Sequence, residues 1–211
     1  MNIVFFGPQG SGKGTQARLL CERYGFFYFE SGSYLRKIAE SNEAVKNAQN
    51  SGDLNEVLNR EICTYLTAFF DEKNMYDDIV FDGFPRTVDQ YLFLKKWLDQ
   101  KQVGLDLAIV LEISEKETLR RLGGRRQDPI TGQIYNLVTE GLPSGIDLNT
   151  LKQRADDMPE AIKKRLNLYH SLTEPLIEEI GKSTNVVKVN GERQVDEIQK
   201  DLVQIVEKYK K

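Results

Sequence analysis

The sequence predicts an α/β protein built on a central parallel sheet with helices on both faces. Three observations lead there. Short apolar runs rich in Val, Ile and Phe alternate with segments of helical periodicity along the whole chain, and such alternation favours parallel strands joined by helical crossovers. The apolar runs lack the polar/apolar alternation of half-exposed strands, so they suit strands buried on both faces. At 211 residues the chain is long enough for one large domain with a sizeable core.

The first strand is expected over Asn2–Phe6. It runs straight into Gly7-Pro-Gln-Gly10-Ser11-Gly12-Lys13-Gly14-Thr15, and a helical pattern then covers Gly12–Tyr24. Strand, glycine-rich loop and helix N-terminus in that order contain the GxxxxGK core of a P-loop. Glycines at 7, 10, 12 and 14 let the backbone curl so that several N–H groups face one anion. The helix end adds partial positive charge and Lys13 a full one. Polyphosphate is the ligand such a loop suits best. Gly14 stands where the common motif has Ser or Thr, with Thr15 one residue later.

The second strand is expected over Phe26–Phe29, followed by helical patterns at Ser33–Gln49 and Leu54–Glu72. Two helical stretches between consecutive strands mark an insertion at about residues 31–60, joined by Asn50-Ser51-Gly52-Asp53. The third strand, Asp78–Phe81, leads into Asp82-Gly83-Phe84-Pro85-Arg86-Thr87. An aspartate at the end of a buried strand beside a P-loop can order magnesium, directly or through water. Gly83 follows it where a motor-type ATPase would carry a water-activating Glu. Arg86 cannot lose its proton and can grip phosphate with a planar fork.

A helix at Val88–Lys101, a strand at Leu107–Ile113 and a helix at Glu115–Leu122 follow. Residues 123–156 then break the rhythm, being rich in Gly, Pro, Thr, Asn and Asp. A structureless loop of that length fits a compact domain only as a functional lid or small insert. Arg120, Arg121, Arg125 and Arg126 precede it, Arg154 and Arg165 follow it, and Gly123-Gly124 reads as a hinge. A mobile segment edged by guanidinium groups suits closure over polyphosphate, because phosphoryl transfer places charge on equatorial oxygens. A phosphate acceptor is already anionic near neutral pH and needs no dedicated protein base. Asp156-Asp157 is either a helix cap plus a salt bridge to these arginines, or a cap alone. With Pro159 and Glu160, Asp157 reads as the start of a helix at Met158–Ile180. A strand at Val186–Val189 and a helix at Val195–Tyr209 complete the chain. His170, the sole histidine, lies in a helical pattern without ligand-spaced partners and reads as structural.

The formal net charge of −3 provides no basic field for nucleic acid. Cys21 and Cys63 form no CxxC pair, which argues against a disulfide framework or cysteine zinc site and fits a reducing compartment. No apolar run approaches the ~18 residues of a membrane span, and the chain opens on a strand rather than a signal-peptide pattern. A cytoplasmic location without membrane or nucleic-acid partners is expected.

Together these segments resemble the nucleoside monophosphate kinases, and adenylate kinases among them. The resemblance rests on Gly7-x-x-Gly10-x-Gly12-Lys13-Gly14-Thr15-Gln16-Ala17, on Glu30-Ser31-Gly32-Ser33-Tyr34-Leu35-Arg36, and on Asp82-Gly-Phe-Pro-Arg86-Thr with Gln90. Gly124-Arg125-Arg126, Tyr135-Asn136, Arg154-x-Asp156-Asp157 and Arg165 extend it through the irregular segment. It implies a P-loop three-layer α/β fold with a central parallel five-stranded sheet, plus a monophosphate-binding insert and a lid. The implied division is a core of residues 1–30, 61–122 and 158–211, an AMP-binding insert at 31–60 and a lid at 123–157.

The resemblance further implies reversible, magnesium-dependent transfer from ATP to AMP, giving two ADP, by a monomer. By position, Gly10, Ser11, Gly12, Lys13, Gly14, Thr15, Arg121, Arg125, Tyr135 and Arg193 would hold ATP. Ser31, Arg36, Asn55, Gly83, Arg86, Gln90, Arg154 and Arg165 would hold AMP. Lys13, Arg86, Arg125, Arg154 and Arg165 would act on the transferring phosphoryl group, and Asp82 would organise magnesium through water. The chain departs from the family pattern at Ser31, where Thr is usual, and at Glu30, Ser33 and Asn55, where Ser, Asp and an apolar residue are usual. It lacks the four lid cysteines of the zinc-bearing form, and Asp128 stands where the zinc-free bacterial form often has His. A lid without zinc is therefore expected, held by hydrogen bonds and an apolar cluster of Ile130, Ile134, Tyr135 and Leu137. Three other readings compete with this one. A UMP/CMP-type kinase usually has Asn in place of Gln90 and no hydroxyl at position 31. A GTP-binding switch would need an NKxD-type motif, which is absent. A non-catalytic nucleotide-sensing module sits poorly with Lys13, Arg86, Arg125, Arg154 and Arg165 all in place.

Overall fold

The computed structural model describes residues 1–51 and 56–210. Five strands, β1 (Ile3–Phe6), β2 (Phe27–Glu30), β3 (Ile79–Asp82), β4 (Leu107–Glu112) and β7 (Asn185–Asn190), form one parallel sheet in the order β2-β3-β1-β4-β7. Successive residues of each strand serve opposite faces. Val4, Phe6, Phe81, Ala108 and Val110 face one core, while Ile3, Phe5, Val80, Leu107, Ile109 and Leu111 face the other. This is why the strand sequences are uniformly apolar rather than alternating.

Two helices cover one face, α1 (Lys13–Tyr24) and α9 (Val195–Tyr209), through Ala17, Leu20, Ile198, Leu202 and Val206. The other face carries α4 (Glu56–Lys73), α5 (Val88–Gln100) and α8 (Glu174–Ile180), which bury Leu66, Phe70, Leu94, Trp97, Leu98, Leu176 and Ile180. The strand order reverses around β1: the chain moves to β2 and β3 on one side, then to β4 and β7 on the other. Open α/β sheets bind ligands beyond the strand C-termini at such a switch point.

The expected Ser33–Gln49 helix is two helices, α2 (Ser31–Ala39) and α3 (Glu43–Ser51), divided at Glu40-Ser41-Asn42. The Asn42 side chain accepts from the Val45 backbone N–H and so favours a new helix start over continuation. The long final pattern also divides, into α7 (Pro159–Leu168), a π-helical segment Tyr169–Thr173 and α8. Pro175 explains the break, since it withholds an N–H from the helical ladder.

Between α6 (Glu115–Gly124) and α7 the chain is not structureless. Two short strands, β5 (Arg125–Gln127) and β6 (Ile134–Asn136), pair antiparallel, and Gln127 bridges to Lys152. Side-chain turns tie the loops: Asp128 accepts from the N–H groups of Ile130 and Thr131, and Asn136 from those of Val138 and Thr139. The expected apolar cluster does not form. Ile130 is 93% exposed and Ile134 47% exposed, so backbone pairing and short polar side chains carry this segment. Gly123 and Gly124 belong to the last turn of α6 rather than to a hinge outside it. A Cβ on Gly124 would stand 2.3 Å from Val138 Cγ2 and 3.0 Å from Asn136 Oδ1, so the glycine admits the returning strand.

Among the described residues no helix is long and apolar enough to cross a membrane. Cys21 in α1 and Cys63 in α4 are free thiols, which burial pushes up to about 12 and about 11.

Candidate active site

The loop after β1 is built by backbone geometry. Gly7, Gly10 and Gly12 all take positive φ, and Gly12 precedes α1 in a left-handed conformation without any side-chain cap. The first N–H groups of α1 therefore stay open toward the loop, as an anion site requires. Gly14 contributes differently from the expected curl. It lies within the helix, and a Cβ there would stand 3.3 Å from Tyr28 Oη and 3.4 Å from Asp82 Oδ2. Its bareness lets the end of β3 approach the loop. Ser11 is fully buried, with no hydrogen-bond partner for its hydroxyl among the described residues, and Thr15 is exposed on α1.

Lys13 Nζ donates to the carbonyls of Gly7 at 2.6 Å and Pro8 at 2.9 Å. Burial, reinforced by the cations of Arg86, Arg165 and Arg125 and opposed by Asp82, pushes its ammonium down to about 8. Arg165 is pushed down to about 10 by burial, with Arg86 and Arg125 adding to the effect and Asp156 and Asp157 opposing it. Burial also lowers Arg86, with Arg36 adding, and Arg154, with Arg125 and Arg36 adding. Lys13 at the start of α1, Arg86 in the loop after β3, Arg125 on β5 and Arg165 on α7 thus lie within electrostatic reach of one another, each disfavouring the others' charge. Cations set so close together favour anions among them.

Carboxylates hold these cations in place. Asp157, 1% exposed, accepts both prongs of the Arg125 fork, the Nε bond being 2.7 Å. Asp156 accepts from Arg165 Nη1 at 2.8 Å. The residue before α7 is Met158, whose side chain supplies no cap, so Asp157 serves as an arginine partner and not as the helix cap. Arg154 Nε donates to Gln127 Oε1 at 2.8 Å. Arg121 reaches the P-loop, donating to Glu117 at 2.6 Å and to the Gly10 carbonyl at 3.3 Å. Arg120 pairs with Glu117, and Arg126 donates to the carbonyls of Gly123 and Arg125.

Asp82 closes β3, largely buried, and accepts from Tyr28 Oη at 2.7 Å. Burial and the Asp82 carboxylate push the Tyr28 phenol up, so it is a neutral donor, and the Arg18 guanidinium lies over its ring at 4.3 Å. Sequence reasoning missed Tyr28. Its position on β2 is legible, but only the pairing of β2 with β3 brings it to Asp82. The carboxylate, with one oxygen oriented by Tyr28, fits the water shell of a divalent cation.

Beyond Asp82, the Gly83 carbonyl accepts from Ser31 Oγ at 2.6 Å and Arg86 Nε at 2.7 Å. Ser31, Leu35, Leu58, Ile62, Gly83 and Gln90 line a small cleft. Arg36 on α2 is held by Glu30 at 3.0 Å and Ser33 Oγ at 3.1 Å, and Glu30 also pairs with Arg18. Asn55 lies outside the described residues. Tyr135 is half-buried in β6. Arg193 is held by Asp201 at 2.5 Å, in a turn where a Cβ on Gly191 would stand 3.1 Å from the Ser11 carbonyl oxygen. His170 pairs on the surface with Glu174. Among the described residues no group of three or more His, Cys, Asp or Glu could hold a metal ion.

A P-loop, an acidic strand end and arginines from the loop after β3, the two-stranded segment and α7 set the chemical frame. The protein-family model described as "Adenylate kinase" matches residues 5–185. The chain belongs to the adenylate kinase family. It is similar to the adenylate kinase of Petrotoga mobilis, 32% identical with all of both chains covered, and to that of Pyrococcus furiosus, 37% identical over 94% of this chain and 92% of that one. The adenylate kinase of Salinibacter ruber is 33% identical over 94% of each. Membership of the adenylate kinase family makes the protein a phosphotransferase enzyme with a nucleotide-binding P-loop.

Proposed function

We propose that the chain moves the γ-phosphoryl group of ATP onto the phosphate of AMP, reversibly, through the residues assembled above. The observation that carries this reading is that Lys13, Arg86, Arg125 and Arg165, drawn from four separate segments of the chain, lie within electrostatic reach of one another. Two polyanions must meet for the reaction, and a preassembled set of cations supplies both positioning and charge neutralisation.

In this scheme the P-loop amides of Gly10 to Thr15 and Lys13 cradle the ATP phosphates. Arg121 and Arg125 flank them, and Tyr135 and Arg193 border the donor side. Arg36 and Arg86 take the AMP phosphate, and the cleft of Ser31, Gly83 and Gln90 takes its base, with Asn55 assigned there from the family pattern. Arg154 and Arg165 reach the transferring group. Magnesium, arriving with ATP, supplies charge neutralisation at the β- and γ-phosphates, and Asp82 oriented by Tyr28 would hold its water shell. Residues 31–60 act as the AMP-binding insert and 123–157 as a lid without zinc, although α4 continues through residue 60 into the core. Closing the lid excludes water, which would otherwise take the phosphoryl group. A cytoplasmic monomer acting in adenine nucleotide balance, with ATP, AMP and ADP as its partners and no membrane or nucleic acid, completes the reading. The family likeness supports it.

A coupled assay with MgATP and AMP, CMP, UMP or GMP supplied singly tests the reading. ADP is expected only with AMP. Preference for CMP or UMP would reassign the base cleft, and no transfer to any acceptor while ATP still binds would overturn the proposal.

A further inference from the structure

Gln90 lies at the back of the base cleft, 4% exposed, with both ends of its amide engaged. The Arg86 backbone N–H donates to Gln90 Oε1 at 2.6 Å, and Gln90 Nε2 donates to Asn59 Oδ1 at 2.6 Å. A backbone N–H can only donate, so it demands the oxygen of the amide. Asn59, on α4, presents an acceptor where the nitrogen must then lie. A reversed Gln90 would set its NH2 group against the Arg86 N–H, two donors facing each other. Arg86 alone leaves the nitrogen without a partner and the side chain free to swing away.

An amide held at both ends still has capacity. Its nitrogen has a second hydrogen and its oxygen a second lone pair. A base entering the cleft therefore meets one donor and one acceptor in a fixed order. The edge of a 6-amino purine offers an acceptor at N1 beside a donor at the amino group. A 6-oxo purine offers the reverse, a donor at N1–H beside an acceptor at O6. One orientation of Gln90 satisfies only one of the two.

We propose that Asn59 is a specificity-determining residue: by pinning the Gln90 amide in the orientation that the Arg86 backbone N–H selects, it makes the cleft accept a 6-amino purine monophosphate and refuse a 6-oxo one. This rests on the assignment of the cleft to the acceptor base. Polar sites matched to a ligand reject the mismatched analogue strongly, because buried groups are left unpaired.

The test compares wild type with Asn59→Leu, which removes the acceptor, Asn59→Ala, which removes it without added bulk, and Asn59→Asp, which keeps an acceptor oxygen. The kcat/KM for AMP and for inosine monophosphate, and the KM for ATP, are measured on each, with thermal melting to verify folding. The AMP preference should fall at least about fivefold in the Leu and Ala variants, through the KM for AMP. The KM for ATP should stay constant, and Asn59→Asp should keep the wild-type ratio. An unchanged ratio in the folded Leu or Ala variant overturns the role of Asn59, as does an equal loss in Asn59→Asp. A wild type that does not discriminate between AMP and inosine monophosphate overturns the base-cleft assignment itself, and the two failures are separable.

Discussion

Lys13 illustrates how a single residue stores the site's purpose as an energetic cost. Burial, reinforced by the charges of Arg86, Arg165 and Arg125, pushes its ammonium down to about 8, well below the ordinary lysine value of 10.5. Below pH 8 both folded and unfolded chains carry this proton, and the folded state bears the full penalty. Between about 8 and 10.5 the unfolded chain holds the proton more tightly, so this group's destabilising effect is relieved as pH rises. A bound polyphosphate acts in the opposite sense, stabilising the charged form. Binding of a non-hydrolysable ATP analogue near pH 9 should therefore draw in a proton, read as a dependence of calorimetric heat on the buffer's ionisation enthalpy. Lys13→Arg, charged at every such pH, should abolish that dependence; its persistence in the variant would remove Lys13 as the source. The same logic makes Asp157 legible in hindsight. An acidic pair after Arg154 reads as a helix cap with a salt bridge or as a cap alone, and only the approach of β5 gives Asp157 to Arg125 and takes it from the cap.

At the scale of elements, the segment between α6 and α7 shows what replaces an apolar core in a small appendage. Its strands hold three register pairs, and its loops are closed by Asp128, Asn136 and Asp147 side chains. Its base depends on the close approach of Val138 to Gly124. Gly124→Ala should force Val138 aside and cost about 1–3 kcal/mol through overpacking, with faster proteolysis confined to residues 123–157 and an intact core by circular dichroism. Proteolysis at the wild-type rate would show that the approach carries no constraint. Glycine pairs in sequence suggest a hinge readily. They do not reveal that a side chain from the turn after β6, fourteen residues later, needs the space.

For the molecule as a whole, the five-stranded sheet binds two apolar cores into one unit, so damage to either should be felt globally. Leu94 and Leu202 are both fully buried, on opposite faces and away from the P-loop. Leu94→Ala and Leu202→Ala should each lower stability by about 2–5 kcal/mol, in a single urea transition, with the KM for ATP unchanged at temperatures where the variants remain folded. Two separate transitions would mean that the faces unfold independently. The sheet also makes the site. It carries the P-loop, Asp82 and the turn after β7 to one end, where the strand order reverses.

Local chemistry by itself determined much of this protein. Apolar runs marked the five parallel strands to within two residues at each end, because burial on both faces leaves little freedom of composition. The glycine-lysine loop, Asp82, Arg86 and the arginines around residues 123–156 declared a polyphosphate site, because few other side chains do that work. Other features depend on neighbours distant in the chain. The pairing of β2 with β3 brings Tyr28 to Asp82, and α4 brings Asn59 to Gln90. The fold of the segment after α6 gives Arg125 to Asp157 and leaves Ile130 in solvent. Periodicity and motif report what one segment prefers, whereas these contacts arise only when packing sets segments side by side, and tertiary structure alone decided them.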